Sequence, residues 1–160
     1  MDTHPGFATD LLFDRYQGEV IQHEQFWAVR TPDAPDYYFG NYLLLTTPPS
    51  DRDKGWLEAA FDQLIGHDHR VRHRTFQWPL AAGQNSRIAG FVATGYQYME
   101  CVVLALDKQS WQPHGDINGP QVRAFTTADW QEWLDFELHE RDEGHTAESY
   151  LPYLQSRRAL

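Results

Sequence analysis

The nine residues YYFGNYLLL at positions 37–45 constrain this 160-residue chain more than any other stretch. Aromatics followed by three leucines read as a buried strand, because a strand with one wet face alternates apolar and polar residues. Gly40 and Asn41 interrupt it, and both types are depleted in strands. A glycine inside a strand marks either a β-bulge or a close approach by neighbouring atoms. The bulge is the expected outcome here. The competing reading is that Gly40 makes room for an aromatic ring, with Trp27 and Trp78 as the candidates.

Elsewhere the periodicity predicts strands alternating with helices. Residues 9–16 fit a short helix or a strand equally well. Residues 20–29 end in Phe26, Trp27, Ala28 and Val29, a β-rich run stopped by Pro32. Trp56, Leu57, Ala60, Phe61, Leu64 and Ile65 recur at spacings of three and four, which predicts an amphipathic helix over 53–65. Ser50 or Asp51 caps its start and Gly66 stops it. Alternation over 71–78 predicts a strand, Ser86 caps a helix over 87–94, and the apolar run from Cys101 to Leu106 reads as a central strand within 97–106. Two prolines and two glycines make 107–120 a linker. A strand after residue 121, a helix over 127–142 capped by Thr127, and a last helix over 146–158 complete the chain. Trp130, Trp133, Leu134, Leu138, Tyr150, Leu151 and Leu154 form the apolar face of those helices. This order predicts an α/β fold, a mixed sheet of about six strands flanked by helices.

Composition narrows the function classes. A formal net charge of −10 opposes nucleic acid, whose phosphates require a basic surface, and opposes adsorption to anionic membranes. No apolar run approaches the roughly 20 residues of a membrane span, and the first residues lack a secretory pattern, so the expectation is a cytoplasmic protein. Cys101 is the single cysteine and sits among apolar neighbours, which predicts a buried small hydrophobe. His67, His69 and His73 invite a metal reading, but Arg70, Arg72 and Arg74 stand among them and disfavour a cation. No metal is expected.

Several short patterns in fixed order resemble the N-terminal domain of bacterial tandem GNAT-superfamily N-acetyltransferases. They are Val29, Arg30, Thr31 and Pro32; Tyr38, Phe39, Gly40 and Asn41 with Leu43, Leu44 and Leu45; Trp56 with Phe61; His73, Arg74 and Phe76; and Gly95 and Tyr96 with Val102, Val103 and Leu104. The resemblance covers about residues 9–107 and implies a GNAT-like domain over 1–107, a linker over 108–120, and a segment over 121–160 similar to the opening strand and two helices of a second such domain, packed on the first.

In that family a bulged strand splays from its parallel neighbour and admits the pantetheine arm of acetyl-CoA. The resemblance places Leu44 and Leu45 on that strand, and Arg52 and Gly55 in the loop that holds the pyrophosphate. Such a loop needs free N–H groups at a helix N-terminus and small residues for close approach. Arg52 and Gly55 match, whereas Leu57 replaces a small residue, Pro48 and Pro49 lack N–H groups, and Asp51 and Asp53 repel phosphate. The family's acid, a tyrosine four residues before Gly95, is Phe91 here, leaving Tyr96 or Tyr98 as substitutes. The resemblance therefore implies an acetyltransferase-like protein with a degenerate acetyl-CoA site, one that supports a catalytic GNAT partner or binds a ligand. The alternative is an active acetyl-CoA-dependent N-acetyltransferase of an unidentified amine. A homodimer is the other partnership the sequence leaves open.

Overall fold

A strand of three leucines needs partners on both edges and cover on both faces, and the fold supplies all four. The computed structural model describes residues 4–81, 84–110, 112, 122–141 and 146–157. It divides into two compact units, one built on the residues up to Met99 with the chain from Gln155, the other on Glu100–Leu154. In the first unit, helix α1 (Pro5–Gln17) leads into β1 (Glu19–Gln22), β2 (Phe26–Arg30) and β3 (Tyr42–Leu45). Helix α2 (Lys54–Leu64), β4 (Phe76–Gln77) and the short α3 (Ala89–Ala93) follow. The strands form one mixed sheet in the order β1-β2-β3-β4. β1, β2 and β3 are antiparallel neighbours, while β4 runs parallel to β3, so the chain crosses over between them through α2.

The two-residue period of a strand sorts β2 and β3 between two cores. Phe26 faces Leu45 and Ala28 faces Leu43 across the ladder, and these four pack with Leu57, Phe61, Ile65 and Phe91 from the α2 and α3 side. Trp27 faces Leu44 and Val29 faces Tyr42, and these four pack with Leu11 of α1 on the opposite side. Burying each such side chain stabilises by roughly 1.5–3 kcal/mol. The α/β reading therefore holds, as a four-stranded mixed sheet with helices on both faces. Residues 9–16, ambiguous in sequence, are helical because one turn of α1 must cover the second core. Gly18 ends α1 where a Cβ would lie 2.2 Å from the Arg30 carbonyl oxygen, so only glycine fits.

Gly40 is not at a bulge. The β2–β3 register runs without a break from Phe26 with Leu45 to Val29 with Tyr42, and residues 38–41 are turns that precede the strand. A Cβ at Gly40 would lie 2.7 Å from both the Thr31 hydroxyl and the Tyr37 ring. The glycine makes room for an aromatic ring, as the competing reading had it, but the ring is Tyr37. Asn41 is fully buried and organises the loop. Its side-chain oxygen accepts from the Thr31 N–H at 3.0 Å, and its amide donates to the Ala34 and Tyr37 carbonyls at 2.8 and 2.9 Å. The Thr31 hydroxyl donates to the Gly40 carbonyl at 3.0 Å. The interruption is thus the hub of a folded loop, not a fault in a strand.

Other expectations are corrected as well. Of 71–78 only Phe76 and Gln77 are strand. Residues 97–106 form no strand, and Cys101 is exposed. In the second unit, residues 122–125 also form no strand; Thr126 rather than Thr127 caps the turn before α4 (Trp130–Glu140), through bonds to the Asp129 carboxylate. Helix α5 (Ala147–Ser156) matches the expected last helix, and Leu134 and Leu154 are the buried residues of the pair. Phe125, Trp130 and Trp133 pack ring on ring, the two indoles 4.8 Å apart. Most of the expected linker lies outside the described residues. Among the described residues no helix is long and apolar enough to cross a membrane.

Candidate functional site

The connection from β3 to α2 carries the residues that the sequence singled out. Leu44 and Leu45 are buried, with Leu44 paired to Trp27 on one edge and Gln77 on the other. Both of its backbone flanks belong to the sheet. β4 stops at Gln77, so the ladder on that side of β3 ends at Leu44 and does not reach Leu45. The pair are therefore core residues, and only Leu45 lies where the two parallel strands cease to pair.

Beyond β3 the chain passes Pro48 and Pro49 into a 3₁₀ turn, Asp51–Asp53, that runs directly into α2. Arg52 is exposed in this turn and Gly55 in the first turn of α2. Nothing lies within 4 Å of a Cβ built on Gly55, so no packing demand explains the glycine. Leu57, in place of a small residue, is fully buried in the main core. The helix start is occupied by the chain's own acids. The Asp53 carboxylate accepts from the Ser50 N–H and hydroxyl, both at 2.8 Å, and from the Trp56 indole at 3.1 Å. The indole first, and Ser50 second, hold the Asp53 carboxyl below its ordinary pKa. Asp51 accepts from the Gly90 N–H at 2.7 Å, and its own N–H donates to the Arg87 carbonyl at 2.8 Å. Of the nearby cations, Lys54 sits 3.2 Å from Glu58.

Two carboxylates stand in the turn that leads into α2. Helix N-termini attract anions through unsatisfied N–H groups and the dipole; here Asp53 bonds to Ser50 and Trp56 without a side-chain bond to the α2 backbone, and Asp51 bonds to the Gly90 N–H in α3. Asp51, Arg52 and Asp53 are the charged groups of that turn, and Arg52 is exposed. The Ser50-to-Asp53 spacing was the available signal: a hydroxyl residue followed three positions later by an acidic one marks a self-capped helix start.

Of the two candidate acids, Tyr96 is bonded to a carboxylate. Phe91 is a core residue. The Tyr96 hydroxyl donates to Glu58 at 2.9 Å, and burial first, then that carboxylate, pushes the phenol up to about 12. Tyr98 stacks on Trp78 with ring centres 6.1 Å apart and is largely exposed. The histidines have separate tasks. His67 meets Arg30 at 3.2 Å, and His73 meets the Asn41 carbonyl at 3.1 Å, with burial lowering its pKa. Among the described residues no group of three or more His, Cys, Asp or Glu side chains is placed to hold a metal ion.

No protein-family model, curated protein or solved structure matches the chain.

Proposed function

We propose that this chain is a GNAT-like domain with a degenerate acetyl-CoA site, which supports a catalytic partner or binds a ligand rather than transferring an acetyl group itself. In this reading β1–β4 are four of the roughly six strands of a GNAT-like sheet. The observation that carries it is the turn into α2, where Asp53 is bonded to Ser50 and Trp56 and Asp51 to the Gly90 N–H, two carboxylates beside the helix start that the resemblance would give to a cofactor's phosphates. Phe91 in the core, and Tyr96 committed to Glu58, support the lack of a general acid. The resemblance in sequence suggests the family, and the carboxylates at 51 and 53 support the reading of a degenerate site.

Calorimetric titration with acetyl-CoA tests it directly. The expected result is no saturable binding below about 1 mM, with no rise in melting temperature. Micromolar binding would overturn the proposal and favour an active N-acetyltransferase. In that event, loss of binding in Arg52→Ala would locate the phosphates at 52–55.

A further inference from the structure

The two faces of the sheet are closed in different ways. The α2 face is sealed largely by apolar side chains, with the His73 ring edge-on to Phe61. The α1 face holds a carboxylate: Asp14 is only 8% exposed, at the edge of a cluster formed by Leu11, Trp27, Val29, Tyr42 and Leu44. The Tyr42 hydroxyl, itself buried, donates to Asp14 Oδ2 at 2.6 Å and ties helix to sheet. The charged groups that face this carboxyl are few. From α1 they are Asp10, one turn earlier, and the exposed Arg15; from the sheet Tyr42 is the one titratable group, with Tyr37 acting on Tyr42 from the loop. A buried carboxylate needs several donors or a close cation to offset its lost hydration. One phenol and one exposed arginine, opposed by Asp10, supply little.

We propose that α1 is a proton-operated clamp on this face of the sheet, held most tightly when Asp14 is protonated and loosened when it ionises. The helix is suited to move. Leu12 and Phe13 on its outer side are exposed, while Leu11, Phe7 and the Asp14–Tyr42 bond join it to the sheet. Release would bare Trp27, Val29, Tyr42 and Leu44, an apolar sheet face. Burial, the largest effect, pushes the Asp14 carboxyl up to about 6, and the Tyr42 bond only partly offsets it. The sign follows. An acid whose folded pKa lies above its unfolded value favours the closed state at low pH, and that advantage is lost as pH rises from the ordinary aspartate range through about 6.

Hydrogen exchange of the α1 amides in the intact chain, corrected for intrinsic rates, provides the test. Protection is expected to fall about 25-fold between about pH 4.5 and about pH 7.5. In Asp14→Asn, which cannot ionise, it should stay flat over that interval. Equal pH dependence in both proteins would overturn the proposal. Should the variant fail to fold, the carboxyl carbon of Asp14 in the unaltered chain can be titrated by NMR. A midpoint near 6 supports the clamp, and one below about 4.5 overturns it.

Discussion

Two stretches of this chain have nearly the same hydrophobicity and opposite fates. β3 carries Tyr42, Leu43, Leu44 and Leu45, all buried, with Leu43 at 0% exposure. The run from Cys101 to Leu106 is as aliphatic, yet Val102 is 80% and Leu104 91% exposed. The difference lies in the backbone. Each N–H and C=O of a buried segment must be bonded within the protein, because burying one unpaired costs more than an apolar side chain gains. β3 has ladder partners in β2 and β4 and an apolar cluster on each face. Residues 101–106 have no assigned ladder, and their side chains stay in water. Apolar composition makes burial favourable; paired backbone makes it possible.

Substitutions can break or sharpen that contrast. The largest effect is expected for Leu43→Ala, about 2–5 kcal/mol of stability lost through buried area and a cavity, read from urea denaturation. Asn41→Ala should follow at about 3 kcal/mol, since it strands the Thr31 N–H and leaves the Ala34 and Tyr37 carbonyls with only their turn bonds inside the loop that leads into β3. Hydrogen exchange at Thr31 would show whether the loss begins there. Gly40→Ala should cost about 1–3 kcal/mol, because the added methyl meets Thr31 and Tyr37 at 2.7 Å; the same denaturation assay checks it. At the other end, Leu104→Ala should change stability by no more than about 0.5 kcal/mol. A cost for Leu104→Ala matching that of Leu43→Ala would mean that 101–106 is buried in solution, and the contrast would fail.

Much of the helical structure was legible in advance. The spacing of Trp56, Leu57, Ala60, Phe61, Leu64 and Ile65 predicts α2 within one residue at each end, because a 3.6-residue period is local and survives any partner. The helices at 130–140 and 147–156 lie within the expected 127–142 and 146–158, with ends one to three residues short. At the candidate site, Arg52 and Gly55 do fall at the start of α2, where the motif put them. The acids beside them were visible too, but not that Asp53 would turn back on Ser50 and Trp56 and satisfy the helix start itself. Strand lengths were the least legible. Residues 37–39 are aromatic and β-prone, and the bonds to Asn41, with the Thr31 hydroxyl on Gly40 and the turn bonds at Ala34 and Tyr37, draw them into a loop.

The sequence by itself determined the alternation of strands and helices, the apolar face of α2 and the need for cover on both faces of β3, since all of these follow from periodicity and composition. Tertiary structure decided three things. It chose helix for residues 5–17, because the second face of the sheet required a lid. It placed Tyr37 against Gly40, which turned an apparent flaw in a strand into close packing. It also brought Asp14 to Tyr42 across 28 positions of sequence. Contacts between distant residues set these outcomes, and no local pattern encodes which distant residue will arrive.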